Sequence, residues 1–262
     1  MKKLLVKNLI FCFIVNIFYG QAIDSRLWIK KLDDEKKYQI HYRITNNSSE
    51  TIMMVIDTTG FESYDEYDWY GYKYSYQDLT KRKPFSPRLK IIDEIAKGTL
   101  DMWFGARMPQ WTEQALDSIL RDKEEKERKE LARLKEIKSK YHLNKDINWV
   151  GYYDYIKRHA IILKPNQFLD VYNSMDLSEI YEDELGYIVG FCLDINRKYA
   201  VTLKFHQDRK WVSKHLTKDM LEKYKRQKII IYDGVSISNE VEIKGCSNID
   251  ESFYEIPGIF IK

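Results

Sequence analysis

The sequence predicts a mainly β fold, an immunoglobulin-like β-sandwich carrying one long, charged α-helical insertion and one short helix. Three observations carry this expectation. Apolar residues alternate with a period of two in several short segments, turn residues separate those segments, and one run near the middle of the 262-residue chain switches to helical spacing with almost no apolar stripe. Roughly ten strands result, and pooling them into two sheets around one core is favoured over two small sets that would each bury too little. The chain therefore reads as a leader over 1–22 and a single sandwich domain over 23–262, with the helix at 112–141 inserted between strands.

The leader rests on charge and length. Met1-Lys2-Lys3-Leu4-Leu5-Val6-Lys7 is basic, and the apolar run from Leu9 to Tyr19 is broken only by Asn16. That run is shorter than the ~20 residues a membrane span needs, and Gly20-Gln21-Ala22 supplies small residues two apart, as a cleavable secretory signal requires. The expected cut follows Ala22, which places the mature protein in a secreted, periplasmic or cell-envelope location. The chain holds 43 Lys and Arg against 40 Asp and Glu; the leader takes three lysines and no acid, so 43 less three leaves 40 against 40. A neutral mature chain lacks the positive field that nucleic-acid binding draws on, so no nucleic-acid partner is expected. No later segment is long and apolar enough for a transmembrane helix.

From Leu27 to Asp57 the pattern is that of strands. Tyr38, Ile40, Tyr42 and Ile44 alternate with Gln39, His41 and Arg43, the period of a strand with one wet face. Thr45 to Glu50 is a polar turn and Thr51 to Ile56 resumes, so the pair is expected to form a hairpin. Next comes an aromatic run, in which Tyr64, Tyr67, Trp69, Tyr70, Tyr72, Tyr74 and Tyr76 stand among Asp65, Glu66, Asp68 and Asp78. A Pro-bearing basic connection follows at Lys81 to Arg88.

From Thr112, a residue suited to an N-cap, with Trp111 and Leu116 as its hydrophobic staple, a helix is expected to about Tyr141. Its ends carry Leu116, Ile119, Leu120, Leu131, Leu134 and Ile137. Its middle carries only charge, with Glu124/Arg128, Glu125/Lys129 and Glu136/Lys140 spaced four apart, so that stretch must face water. Strands resume after Asn144. Hairpins are expected around Pro165-Asn166, around Asn196-Arg197, and around Asp233-Gly234 in a type I′ turn. A short helix capped by Thr217, with Leu216 and Leu221 as its staple and Met220 and Tyr224 facing inward, precedes the last of these.

The search for chemistry returns little that demands a reaction. There is no nucleophile elbow, no phosphate loop, no Cys-x-x-Cys and no His-Glu-x-x-His, so neither a catalytic residue nor a metal or other cofactor is expected. The five histidines are scattered, and His41 and His206 fall on the polar phase of their strands. Asp65, Glu66 and Asp68 lack the spacing of a calcium loop. Cys192 and Cys246 are candidates for a disulfide closing a loop of about 54 residues, or else two small buried hydrophobes. Asn46-Asn47-Ser48 and Asn47-Ser48-Ser49 match glycosylation acceptors. The aromatic run at 61–78 is either one packed face of a sheet or a surface that recognises a glycan or a protein partner. The leading expectation is an exported, non-enzymatic binding or interaction protein. The alternatives are a carbohydrate-active hydrolase using acids near 62–78, and a structural component of a cell-envelope assembly with the helix at 112–141 as spacer.

Overall fold

The computed structural model describes residues 22–32, 37–63, 85–100, 103–106, 112–177, 181–182 and 187–246. Among these the architecture is mixed and sheet-rich, mainly β with helices. It comprises β1 (Ile23–Lys31), β2 (Lys37–Asn46), β3 (Thr51–Val55), β4 (Glu62–Ser63), β5 (Arg88–Asp93), β6 (Trp103–Ala106), α1 (Glu113–Lys140), α2 (Ile147–His159), β7 (Ala160–Leu163), β8 (Phe168–Asp176), β9 (Tyr181–Glu182), β10 (Tyr187–Gly190), β11 (Lys198–Gln207), α3 (Arg209–Lys214), α4 (Lys218–Arg226), β12 (Ile229–Ile231), β13 (Gly234–Ile237) and β14 (Val241–Lys244).

The first sheet is antiparallel, in the order β1-β2-β8. The alternation expected in β2 holds: Tyr38, Ile40, Tyr42 and Ile44 are fully buried while Gln39, His41 and Arg43 lie on the other face. Those inner residues share one core with Ile23 and Leu27 of β1, Leu89 and Ile91 of β5, and Val201, Leu203 and Phe205 of β11. The latter two strands belong to a second sheet in which β13 and β14 both pair with one edge of β11, β5 with the other, and β4 adds to β5.

The third sheet, β12-β3-β7, has no wet side at its central strand. Ile52 and Met54 of β3 enter the main core, whereas Met53 and Val55 enter a second core with Tyr152, Tyr155, Ile156, Val212 and Ile231. A strand buried on both faces reads as an unbroken apolar run, and Thr51-Ile52-Met53-Met54-Val55-Ile56 is one.

The expected hairpins are corners instead. β2 and β3 do not pair with each other: β2 lies between β1 and β8, and β3 between β12 and β7. The ribbon β2/β8 turns a corner and continues as β3/β7. Asn46, fully buried, holds that corner, since its Nδ2 donates to the carbonyls of Glu50 (2.7 Å) and Leu163 (2.9 Å) while its Oδ1 accepts from the Ser48 amide (3.0 Å). The turn at Pro165-Asn166 does form, with Asn166 at φ 61° and the Gln167 amide on the Lys164 carbonyl, but its flanking strands belong to different sheets. Asp233-Gly234 likewise joins β12 of the third sheet to β13 of the second. Gly234 sits at φ 141°, a conformation only glycine adopts readily but not that of a type I′ turn. Asn196-Arg197 closes a turn through the Arg197 amide and the Asp194 carbonyl, yet the strands on either side, β10 and β11, also lie in different sheets.

The long helix follows expectation in its cap and in its wet middle. Thr112 accepts from the Ala115 amide, the charged stretch is largely exposed, Glu125 and Lys129 pair at 2.7 Å, and Leu134 is its one buried residue; Trp111 of the expected staple lies outside the described residues. Its C-terminal half packs on α2, which was not expected, through Leu134, Leu143, Trp149, Val150 and Tyr153. The short α4 carries the expected Thr217 cap, accepting from the Met220 amide, with Tyr224 buried. No helix among the described residues is long and apolar enough to cross a membrane.

Candidate binding surface

The outer face of the first sheet inverts the usual rule for a solvated sheet face. Trp28, His41 and Tyr172 are direct cross-strand neighbours on β1, β2 and β8, so the pleat sends all three to the same side. Their rings stack in a row: Trp28 to His41 at 4.5 Å and 16°, His41 to Tyr172 at 4.1 Å and 10°. Trp28 is 43 % exposed, Tyr172 63 % and Phe168, on the same face of β8 beyond Asp170, 53 %. Three large aromatics so exposed on one face are surface, not core.

Charge pins the row in place. Asp170 receives two bonds from Arg43, Nε to Oδ1 and a terminal amino group to Oδ2, both at 2.8 Å. The His41 Nε2 lies 2.9 Å from the same Oδ1, and the Arg43 guanidinium lies 4.1 Å above the Phe168 ring. The hydrogen bonds from Arg43, and then that of His41, hold the Asp170 carboxyl down at about 2. Such a fork-to-carboxylate pair fixes both side chains.

Among the described residues β1 is the edge of this sheet, and an open cleft of about 460 Å³ lies between its outer row and the end of β13, lined by Asp24, Arg26 and Trp28 on one side and Ile237, Ser238 and Asn239 on the other. Here the two sheets meet by side chains. Asn239 bonds the Leu27 backbone, and Ser25 Oγ lies 2.7 Å from Ser236 Oγ. Asp24, Arg26 and Trp28 share the outer row of β1, and Arg26 Nε donates to Asp24 Oδ2 at 3.2 Å.

A second polar group lies inside, at the end of β3. Asp57, 3 % exposed, accepts from the Thr59 amide (2.9 Å) and hydroxyl (2.6 Å) through Oδ1 and from the Tyr155 hydroxyl (2.7 Å) through Oδ2. Burial alone would raise its carboxyl; the Thr59 and Tyr155 bonds outweigh it and hold it below the usual range. His159 Nε2 stands 3.9 Å from Oδ2, beyond hydrogen-bond reach, and burial lowers its imidazole. Through the two Thr59 bonds the carboxylate closes a turn, and through the Tyr155 hydroxyl it ties that turn to α2.

The sequence-predicted site residues Tyr64, Tyr67, Trp69, Tyr70, Tyr72, Tyr74 and Tyr76, with Asp65, Glu66 and Asp68, lie outside the described residues, as does the leader apart from Ala22. The flanking Phe61 and Phe85 are buried, Phe61 in the main core and Phe85 in the second. His41 keeps its place on the polar face of β2, while His206 stands on β11 opposite Val235. No disulfide joins Cys192 and Cys246, which are both thiols. Phe191, Leu193 and Cys246 face the main core, whereas Cys192 is only half-buried, its thiol raised by burial. Of the two glycosylation acceptors, Asn46 is buried and Asn47 exposed. Trp28, Tyr172 and Phe168 escape a reading of the sequence because an aromatic on the polar phase of a strand looks isolated until the pairing register is known. Compared with models of known families, with characterised proteins and with solved structures, the chain matches none.

Proposed function

We propose that the chain is an exported, non-enzymatic binding protein that recognises its partner through exposed aromatic side chains. The observation that carries this reading is the Trp28–His41–Tyr172 row with its Arg43–Asp170 brace. Exposing large aromatics forfeits burial, and rings already stacked and braced lose little freedom when a partner arrives, so they bind at low entropic cost. The charges on this face answer one another, which favours recognition over turnover. Export is supported by the leader, and β1 begins at Ile23, directly after the expected cut. The aromatic run at 61–78 is proposed as a second recognition segment. The sheets sharing the main core are read as halves of an immunoglobulin-like sandwich, supported by the inward residues they contribute to it from both sides.

The test is retention of the purified protein on a panel of immobilised polysaccharides and cell-envelope extracts. The double variant Trp28→Ala/Tyr172→Ala should lose retention at least tenfold while its melting temperature stays close to that of the parent. Equal retention by the double variant would refute the reading. N-terminal sequencing of protein recovered outside the cytoplasm should begin at Ile23.

A second reading, a spacer within an envelope assembly, is favoured by α1, whose first five turns bury no residue. Deleting residues 120–130, about three turns and so in phase, should leave the body folded and, on this reading, disrupt recovery of the assembly.

A further inference from the structure

We infer that the cleft between β1 and β13 is a subsite for one or two pyranose rings of an uncharged glycan, with Trp28 as its stacking wall. The inference rests on the binding role proposed for this face and narrows it to a ligand class.

The geometry begins with the indole. His41 covers the face of Trp28 that looks toward β2, which leaves the opposite face for the cleft that Trp28 lines together with Ile237, itself 50 % exposed. An upright aromatic plane offers the C–H face of a sugar ring a stacking surface. Asp24 and Arg26 stand beside it in the same outer row, one an acceptor and the other a planar set of donors, the combination that holds adjacent hydroxyls. Their charges cancel, so the cleft offers no net field to a phosphate, sulfate or uronate. Its volume of about 460 Å³ lies in the range of small-ligand sites.

A peptide strand is the natural competitor, because β1 is the edge of its sheet. It is disfavoured at this point: the Leu27 amide and carbonyl, which an added strand would need, are both taken by the Asn239 side chain.

The experiment is affinity electrophoresis of the full mature protein through gels containing soluble dextran, mannan, xylan or laminarin, with heparin and polygalacturonate as anionic counterparts. The expected result is retardation by at least one uncharged polysaccharide. That retardation should weaken at least tenfold in Trp28→Ala and in Asp24→Ala, and less than threefold in Tyr172→Ala, whose ring lies at the far end of the row. Trp28→Phe, which keeps an aromatic plane, should retain part of the binding and serves where Trp28→Ala misfolds. Retardation by the anionic polymers alone, or undiminished binding by Trp28→Ala, would overturn the inference. Binding lost in Tyr172→Ala but kept in Trp28→Ala would overturn the cleft while leaving the wider face intact; failure of both variants to change retention would remove both.

Discussion

Asn239 grips Leu27 by both ends of its amide: Oδ1 accepts the Leu27 N–H at 2.8 Å and Nδ2 donates to the Leu27 carbonyl at 3.0 Å. A side chain on the loop between β13 and β14 thus completes two backbone bonds of an edge strand in another sheet. Replacing Asn239 by Leu leaves that donor and acceptor to find water in a half-buried seam, which should cost about 1–3 kcal/mol. Equilibrium urea unfolding reads the loss. Asn239→Asp keeps the acceptor and should fall between the two.

The corner at Asn46 should be costlier. Its side chain serves two carbonyls and the Ser48 amide and hydroxyl with no exposed surface. Asn46→Ala should destabilise by about 2–4 kcal/mol, the range for breaking a buried hydrogen-bond network. Asn46→Asp should be worse, because a carboxylate would face the Glu50 and Leu163 carbonyls. If Asn46→Ser proved no less stable than the parent in urea, the corner would not need the amide.

Asp170 gives the fold an acid-side signature. Its carboxyl is held at about 2 in the folded protein against 3.8 ordinarily. A depressed carboxylate contributes stability that is fully present above the unfolded value and is lost as pH falls through the folded one. The melting-temperature gap between the parent and Asp170→Asn should therefore be constant above about pH 5 and shrink between about pH 4 and pH 2. A gap that did not change over that window would dissociate Asp170 from the acid sensitivity of the sheet.

Leu134 is the buried anchor of α1 on α2, beside the Arg133–Asp154 ion pair at 2.8 Å. Leu134→Ala should cost about 2–5 kcal/mol of local stability. Amide exchange should show it directly. Residues 113–127, none of them buried, should exchange fast in both proteins, while 130–140 should lose protection only in the variant.

What the sequence makes legible is local. The alternation of Tyr38, Ile40, Tyr42 and Ile44 declares β2 and its buried face, and Thr112 and Thr217 declare two helix starts, because caps and periods act over a few residues. Partnership is not local: Ser48-Ser49, Pro165-Asn166 and Asp233-Gly234 announce a change of direction, and a hairpin and a corner use the same residues to make one. The helix α2 hides for a different reason. Residues 149–156 are all buried, so no polar face marks a helical period, and its tyrosines and tryptophan favour strand. Asp146 as cap, accepting from the Trp149 amide, with Lys157-Arg158-His159 in the last turn, is the signal that could have found it. The binding face is invisible by pattern alone, since Trp28 and Tyr172 meet only once β1, β2 and β8 are in register.

The pairing of β12 with β3, the contacts of β13 and of the loop after it with β1, and the bond from Tyr38 of β2 to β14 mean that β1, β2 and β3 are completed by strands that follow some two hundred positions later. Until the ribosome has released residues 229–246, Leu27, Tyr38 and Met53 lack the neighbours that dry them. Assembly must then bring together stretches some two hundred positions apart, a slow search by comparison with neighbours zipping up. For that interval the unfinished protein exposes apolar surface that favours aggregation.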